Sequence, residues 1–317
     1  MIAFEDKPKD YDAWNIDADF ENVSWDLLDL ERIRVKGDQK GNENISEIRV
    51  EIDRKFRAST IHQSVIFYSD NRRIDFKTKA DWHEHQTLLK AAFPVDVESK
   101  EISCEIQYGS LKRNLTRDND RDKAKFECCA HKWIDITDES GEFGVAILND
   151  CKYGYDAKEK LMRLTLIKSG IFPNPNADQG EHEFTYSLYP HRGGVAEGKV
   201  IEEARRLNFE SHYYIPVTNL EKRIVDFSSE EGVFVEAVKY AENSDAIIVR
   251  IYEGYGIDHK VKAQLFADIP ASLGKVTICD LLENETEEEI SFDKEKKIVE
   301  FALKPYEIMT IKIQVEA

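Results

Sequence analysis

The chain has 317 residues, with 62 acidic against 44 basic side chains and a formal net charge of -18. This charge repels the phosphates of nucleic acids and anionic lipid headgroups, so neither nucleic acid nor a membrane surface is an expected partner. The length suffices for one very large β domain, or for a large domain followed by a smaller one, and either arrangement can bury a sizeable core.

The cysteine pattern and the first residues bear on the cellular compartment. The five cysteines are odd in number and only Cys128 and Cys129 are close in sequence, which indicates neither a disulfide framework nor a zinc site. The opening "MIAFEDKPKDYDAW" lacks the basic segment and apolar run of a signal peptide. Nowhere do about 18 apolar residues follow one another, as a membrane-spanning helix requires. These features predict a cytoplasmic protein with reduced thiols.

The first predicted elements are β-strands. Residues 46–53, 64–70 and 73–82 place apolar side chains at every second position, which is typical of half-buried strands. The later runs at 124–136, 143–150 and 162–169 are apolar almost throughout, which favours central strands covered on both faces. Because glycines separate these runs, the pattern predicts a mainly β protein.

One short cluster among these strands has the residue types of a chemical site. In "KADWHEHQTLLKAAFPVDV" (79–97), His83 and His85 would share one face of a strand, with Trp82 and Glu84 on the other. Two histidines can chelate a metal, but zinc needs three or four ligands and the helical His-Glu-x-x-His spacing is absent. We therefore favour structural or surface histidines, and a tryptophan that belongs to the core.

Residues 169–191, "SGIFPNPNADQGEHEFTYSLYPH", combine a predicted loop with a predicted strand. Pro173 and Pro175 stiffen an extended entry, and Asn176 and Gly180 allow a tight reversal before strand alternation resumes. Long ordered loops are frequently functional. The alternative is a plain hairpin in which Asp178 caps its own turn through backbone N–H groups.

One helix and a second group of strands complete the pattern. The helix is predicted in residues 194–210, where an apolar stripe is formed by Ala196, Val200, Ala204 and Leu207. Short strands with intervening turns follow, as in a small antiparallel sandwich. We place the domain boundary near residue 215, which gives a large domain at 1–215 and a small one at 216–317.

Sequence motifs for common chemistries are absent. The chain has no phosphate-binding loop, no dinucleotide-binding glycine pattern, no nucleophile elbow and no thioredoxin-type cysteine pair. Carboxylates are abundant, but a glycosidase needs two of them about 5 to 10 Å apart, a condition that a sequence does not display. The residues alone therefore predict an all-β protein without assigning its function.

Seven blocks carry a further signal through their order along the chain. They are "FEDKPKDYDAWNIDADFE", "KADWHEHQTLLKAAFPVDV", "EIQYGSLKRNLT", "AKFECCAHKWIDI", "GVAILNDCKYGYD", "RLTLIKSGIFPNPNADQGEHEFTYSLYPH" and "LKPYEIMTIKI". Together they span nearly the whole chain, and they resemble the C-terminal half of an α-mannosidase of glycoside hydrolase family 38.

This resemblance implies a fold and a set of partners. It implies a large galactose-mutarotase-like β-sandwich, one short helix, and a smaller antiparallel β-sandwich. It also implies that the aspartate nucleophile and the His/Asp ligands of a catalytic zinc ion precede this chain, which is then expected to contain no catalytic residue and no metal. The block at 79–97 is then a structural strand. The expected partners are the protein's own N-terminal catalytic domain, mannose-containing carbohydrate bound by the full-length enzyme, and further copies in an oligomer.

The resemblance also points to a candidate substrate site. In this family a loop of the large β domain reaches the substrate pocket, and the loop within 169–191 matches it by position. We predict that Asp178 and Gln179 hydrogen-bond sugar hydroxyls or the neighbouring domain, and that His182 braces the loop. Secondary candidates for the same rim are Asn149, Asp150 and Tyr153.

Two functional hypotheses follow. In the first, the chain is the non-catalytic C-terminal part of a retaining α-mannosidase, which supports the catalytic domain and completes the rim of its pocket. In the second, it is a free-standing carbohydrate-binding or mutarotase-like protein whose concave sheet holds sugar by aromatic stacking and hydrogen bonds. Several hundred upstream residues with zinc ligands would favour the first, and an authentic start at Met1 the second.

Overall fold

The computed structural model of the chain describes residues 1–39, 45–209, 224–227, 231–266 and 272–316. Two compact units are present: Met1–Glu105 with Leu111–Glu210, and Ile106–Ser110 with Ser211–Ala317. The domain boundary predicted near residue 215 lies outside the described residues. None of the described helices is long and apolar enough to cross a membrane.

Fifteen strands lie wholly or mostly in the first unit, in the described part of the chain. They are β1 (Ile2–Glu5), β2 (Ser24–Asp26), β3 (Leu30–Gln39), β4 (Ile45–Phe56), β5 (Ser59–Tyr68), β6 (Ile74–Trp82), β7 (Thr87–Pro94), β8 (Glu101–Ile106), β9 (Gly109–Asn114), β10 (Cys128–Cys129), β11 (Trp133–Thr137), β12 (Phe143–Asn149), β13 (Gly154–Lys158), β14 (Leu161–Ser169) and β15 (Gly180–Arg192). A 3-10 helix at Phe20–Asn22 and two α-helices, α1 (Asp120–Lys123) and α2 (Val200–Asn208), accompany them.

These strands form two antiparallel sheets. A nine-stranded sheet has the order β3-β4-β5-β6-β15-β12-β11-β8-β9, and a six-stranded sheet has the order β10-β13-β14-β7-β1-β2. Strands that adjoin in a sheet are often distant in sequence, as in β15 beside β6, where His182 is opposite Ala80. The predicted large β-sandwich is therefore confirmed.

Alternating side chains build the core between the two sheets. In β5, Ile61 and Val65 are buried while Thr60 and His62 are exposed, as the period of two in a strand requires. Ile61 belongs to one hydrophobic cluster with Leu89 of β7 and with others from the six-stranded sheet. Burying a large apolar side chain stabilises the fold by about 1.5–3 kcal/mol.

Trp82 is a core residue, as the sequence predicted. Its side chain is fully buried and stacks on Phe56, with ring centroids 5.9 Å apart. The indole N–H donates a hydrogen bond to Ser169 Oγ at 3.1 Å, which satisfies the one polar group of the ring. A sugar-stacking role for this tryptophan is thereby excluded in the folded chain.

The helix predicted after β15 is present but shorter than predicted. It begins at Val200 and not in the residues before it, so Ala196 lies in a preceding turn, where its carbonyl accepts the Lys199 N–H at 2.9 Å. Val200 and Ala204 are buried, and α2 packs on β11 and β12. This packing explains why β12 is buried almost throughout.

The second unit contains eight described strands in two four-stranded antiparallel sheets. They are β16 (Val225–Asp226), β17 (Val233–Tyr240), β18 (Ile247–Glu253), β19 (His259–Leu265), β20 (Ser272–Cys279), β21 (Ser291–Asp293), β22 (Ile298–Leu303) and β23 (Ile308–Glu316). The sheet orders are β16-β19-β22-β21 and β17-β18-β23-β20. A separate hydrophobic cluster that includes Ile251 and Ile313 fills this unit, which confirms the predicted smaller β-sandwich.

Candidate functional site

The candidate loop runs from Gly170 to Gln179, between the end of β14 and the start of β15. Its C-terminal half turns sharply, because Asp178 has φ +55° and Gly180 has φ +104°. Asp and Asn tolerate this left-handed conformation better than most residues that carry a Cβ, and glycine adopts it freely. The turn predicted at Asn176 and Gly180 therefore has Asp178 and Gly180 in the left-handed conformation.

The entry of the loop is attached to the N-terminal segment by one carboxylate. Asp12 accepts the backbone N–H of Ile171 at 2.7 Å and of Phe172 at 2.9 Å, one with each oxygen. The Lys168 ammonium donates to the Asp12 carbonyl and lies 2.6 Å from Asp6 Oδ2. Hydrogen bonds to a charged group are stronger than neutral ones, so these contacts fix the start of the loop.

The exit of the loop is attached to the connection between β6 and β7. Gln179 Nε2 donates to the carbonyl of Glu84 at 2.6 Å. Glu84 is itself buried, and its carboxylate accepts Ala58 N–H at 3.1 Å and Ser59 Oγ–H at 2.8 Å. Gln179 therefore holds the loop against the backbone at Glu84, and the buried Glu84 carboxylate fixes that backbone through its own hydrogen bonds.

The His-Glu-His cluster occupies this connection and not a strand. Strand β6 ends at Trp82 in the nine-stranded sheet, and β7 begins at Thr87 in the six-stranded sheet, so residues 83–86 cross between sheets. A single strand through this block is therefore wrong, because residues 83–86 interrupt it. The predicted division of faces does hold: His83 and His85 are exposed, and Glu84 is buried. His83 Nε2 lies 2.8 Å from Asp81 Oδ1.

Asp178 and His182 meet within the turn. His182 Nε2 donates to the backbone carbonyl of Asp178 at 2.9 Å, so the imidazole closes the turn from β15. The Asp178 side chain is exposed, and its carboxylate has no hydrogen-bond partner in the described part of the chain. The hairpin alternative, in which this carboxylate caps its own turn, therefore lacks its expected bond.

The secondary candidates have other surroundings. Asn149 is buried, and its Nδ2 donates to His131 O at 2.8 Å and to the Tyr155 hydroxyl, so its amide nitrogen is already engaged inside the chain and its rim role stays a prediction. Asp150 is exposed and accepts Thr185 N–H at 2.8 Å. Tyr153 is exposed and packs edge-on against His131. None of the three is hydrogen-bonded to the Gly170–Gln179 loop in the described residues.

Sequence reasoning missed Asp12, and it singled out Glu84 without predicting that its carbonyl anchors the loop. Asp12 is 159 residues from Ile171 in the chain, and Glu84 is 95 residues from Gln179. Asp12 lies within the block "FEDKPKDYDAWNIDADFE", but nothing in its spacing indicates a partner. Contacts of such sequence separation become visible only once the sheets are assembled.

A shallow cleft of about 450 Å³ lies beside the site. It is lined by Thr60, His62, Lys79, Ala80, Asp81, Glu181, His182 and Glu183. Several of its charged groups pair with neighbours: Lys79 lies 3.0 Å from Glu183, and His62 lies 2.6 Å from Asp53. None of these lining residues has a Trp, Tyr or Phe ring to stack on a sugar.

The described residues do not fit a zinc site. No three His, Cys, Asp or Glu side chains among them lie close enough together to hold a metal ion. Since zinc takes three or four protein ligands, the described residues offer no set of donors for the metal that the resemblance implies. A zinc ion bound by upstream residues stays a prediction.

Comparison with known proteins gives the family. Residues 1–176 match the family model "Glycosyl hydrolases family 38 C-terminal domain", and residues 232–311 match "Glycosyl hydrolases family 38 C-terminal beta sandwich domain". Alpha-mannosidase G of Dictyostelium discoideum is 31% identical over 98% of this chain, and human Alpha-mannosidase 2C1 is 32% identical over 89%. The chain spans only 29% and 27% of the lengths of these two relatives.

A solved structure shares the fold. The crystal structure of an alpha-mannosidase from Enterococcus faecalis V583 superimposes with a TM-score of 0.67 at 16% identity, over 89% of this chain and 35% of that chain. The likeness supports the two-sandwich architecture alone, because the identity is low. From the two family models and the identity to the curated relatives, the chain belongs to glycosyl hydrolase family 38, in which it corresponds to the C-terminal domains.

Proposed function

We propose that this chain is the non-catalytic C-terminal part of a retaining α-mannosidase that removes terminal α-linked mannose from glycans or oligosaccharides. The support is that relatives named alpha-mannosidase match nearly all of the chain but less than a third of their own length. The nucleophile and the zinc ligands are then expected in the preceding part. Oligomer contacts and a cytoplasmic location stay predictions.

The role we propose for the loop is to complete the rim of the substrate pocket. One observation carries this proposal: the loop is fixed at its entry by Asp12 and at its exit by Gln179 and His182, while the Asp178 carboxylate between these anchors is exposed. A positioned acceptor of this kind can bind sugar hydroxyls at little further entropic cost. Asp178 is therefore the proposed contact residue.

Gln179 and His182 take positioning roles in this proposal. Gln179 Nε2 already donates to the Glu84 carbonyl, and His182 Nε2 already donates to the Asp178 carbonyl. Both side chains thus act through the conformation of the loop. Of the three predicted rim residues, Asp178 would touch the substrate, and the other two would hold Asp178 in place.

The first prediction tests Asp178 in the full-length enzyme. Asp178→Asn keeps a residue that tolerates positive φ and removes the charged acceptor. We expect kcat/KM for α-mannosides to fall by roughly 10- to 100-fold, since a hydrogen bond to a charged group contributes about 1.5–3 kcal/mol. The unfolding midpoint is expected to stay unchanged. Steady-state kinetics and thermal unfolding measure the two quantities.

The matched control is Glu159→Gln. Glu159 is also an exposed carboxylate in the same unit and also has a positive φ, of +53°, in the turn between β13 and β14. Its substitution is expected to change neither kinetics nor stability. Unchanged kinetics for Asp178→Asn, or an equal loss in both variants, would show that the loop is structural.

The alternative of a free-standing carbohydrate-binding protein finds less support. Such a protein would use the cleft lined by His182, in which Lys79 is already paired with Glu183 and no lining residue has an aromatic ring for stacking on a sugar. The relatives that match the chain are also about three times longer than the matched region. We therefore propose the mannosidase function alone.

A further inference from the structure

Four large apolar side chains are exposed where the N-terminal segment meets the candidate loop. Tyr11 is 66% exposed, Trp14 69%, Phe172 63% and Ile171 39%. We call these four residues the hydrophobic patch. A single exposed apolar side chain is ordinary, but a group of them in one place marks a surface for interaction.

The patch is held in a defined conformation. Asp12, between Tyr11 and Trp14 in the chain, accepts the backbone N–H groups of Ile171 and Phe172. The Tyr11 carbonyl accepts Trp14 N–H at 2.8 Å, and the two rings pack edge to face with centroids 6.4 Å apart. Because both segments are fixed before any partner arrives, binding would cost little ordering entropy.

Several polar groups near the patch are already hydrogen-bonded within the chain. Both Asp12 oxygens are used by the loop backbone, the Asn15 amide donates to Asp10 O at 2.9 Å, and Asp17 Oδ2 accepts Lys9 N–H at 2.9 Å. A sugar bound on aromatic rings also needs donors and acceptors for its hydroxyls. What this surface offers is mainly apolar, which suits the buried centre of a protein interface rich in aromatic residues.

The location of the patch indicates its occupant. The matched region makes up less than a third of the relatives' length, and the family models describe it as C-terminal, so most of the polypeptide is expected to precede it. Tyr11 and Trp14 lie within the first fourteen residues, next to the point where that preceding part would join. A short covalent connection gives such a partner a high effective concentration at the patch.

We propose that the hydrophobic patch is the docking surface for the preceding part of the same polypeptide. This inference rests on the proposed function and deepens it, because the same Asp12 contacts hold both the patch and the entry of the rim loop. Docking at Ile171 and Phe172 would carry the loop to the neighbouring part of the protein. Asp178, six residues after Phe172 in the chain, would then face the substrate pocket of that part.

Hydroxyl-radical footprinting of the full-length protein, read by mass spectrometry, tests the docking. The buried Trp82 and Trp133 serve as protected references, and Tyr240, which is 72% exposed, serves as the reactive one. We expect Trp14 and Phe172 to be modified as slowly as the buried tryptophans, with no sugar added. Modification of Trp14 and Phe172 as fast as that of Tyr240 would overturn the proposal.

A second arm separates docking from sugar stacking. If Trp14 is reactive in the free enzyme and becomes protected only when a mannoside is added, the patch is a sugar platform and the docking proposal fails. The footprint does not depend on activity, so its outcome is distinguishable from that of the Asp178 kinetics. If Trp14 and Phe172 are modified rapidly while Asp178→Asn impairs the kinetics, the docking proposal is rejected and the proposed role of the loop at the pocket rim is kept.

The double variant Trp14→Ser and Phe172→Ser gives an independent readout. In the full-length protein it is expected to lower the thermal midpoint, because the docked surface would lose its apolar contacts. Tyr240→Ser, an exposed aromatic residue of the second unit, is expected to leave the midpoint unchanged. Equal midpoints for the double variant and the wild type would contradict the docking.

Discussion

At the scale of single residues, the pair of Asp6 and Lys168 shows how one buried charge depends on its partner. Burial raises the pKa of the Asp6 carboxyl above its ordinary 3.8, while the hydrogen bond and the positive charge of Lys168 lower it. The Asp6 side chain is almost fully buried, and Lys168 is partly buried beside it. The ion pair with Lys168 therefore offsets the desolvation cost of burying the charged Asp6 carboxylate.

The pH dependence follows from the direction of this shift. Since the pKa of Asp6 is higher in the folded chain than the ordinary 3.8, folding favours the protonated form. That contribution to stability is fully present below about pH 4 and is lost as the pH rises through the folded-state pKa. Replacing Lys168 removes the hydrogen bond and the positive charge that lower the pKa of Asp6, so this pKa rises further. The loss of folding stability at neutral pH then becomes larger.

The second prediction is that Lys168→Met destabilises the chain by about 3 kcal/mol at pH 7, because an unpaired buried carboxylate remains. The loss is expected to shrink as the pH is lowered through the raised pKa of Asp6, because the protonated carboxyl carries no charge that needs a partner. Urea unfolding at several pH values measures this. Lys79→Met, which breaks the exposed pair with Glu183, is the control and should cost less than about 1 kcal/mol. A pH-independent loss for Lys168→Met would show that packing and not the charge of Asp6 is responsible.

At the scale of elements, Asp12 joins two segments that are remote in sequence. Its carboxylate is buried and accepts the Ile171 and Phe172 N–H groups, so it acts as a cap for the loop entry. Side-chain capping of this kind replaces backbone partners that an irregular loop lacks. The order of the loop is therefore expected to depend on one carboxylate.

The third prediction is that Asp12→Ala opens the loop locally. Loss of the two bonds costs about 2 kcal/mol, which corresponds to roughly 30-fold faster hydrogen exchange at the Ile171 and Phe172 amides. Hydrogen exchange read by mass spectrometry measures this. Asp10→Ala, which removes a nearby exposed carboxylate, should leave exchange unchanged. Equal exchange in both variants would mean that Gln179 and His182 suffice to order the loop.

The elements also show what a sequence can predict. Alternation located β5, β6 and β15, because each has one face in the core. It could not show that the chain crosses between sheets after Trp82, since a period of two does not identify the partner strand. Likewise Asp178, Gln179 and His182 could be grouped because they are contiguous, whereas their anchors Asp12 and Glu84 could not.

Helix α2 shows that sequence periodicity also fails to locate the first residue of a helix. Its apolar spacing was recognised, but the pattern extends past the true start because Ala196 continues the stripe into a turn. Lys199 has φ +54°, which breaks the helix before Val200. Side-chain periodicity reports which residues face the core, and it does not report where the backbone hydrogen bonds of a helix begin.

At the scale of the whole molecule, each unit has its own hydrophobic core. The first is centred on residues such as Ile134, and the second on residues such as Ile251, both fully buried. All four tryptophans (Trp14, Trp25, Trp82 and Trp133) belong to the first unit, so intrinsic tryptophan fluorescence reports on that unit alone. Circular dichroism, in contrast, reports on the strands of both units.

The fourth prediction uses this asymmetry to find out whether the two cores unfold separately. Ile251→Ala leaves a cavity in the second core and should destabilise it by about 3 kcal/mol. Since a domain with its own core can unfold as a unit, we expect the circular dichroism transition to begin at lower urea while the fluorescence transition stays in place. The matched variant Ile134→Ala should instead move the fluorescence transition to lower urea. If Ile251→Ala shifts both signals by the same amount, the two units unfold in one cooperative step, and stability measured by either probe is a property of the entire chain.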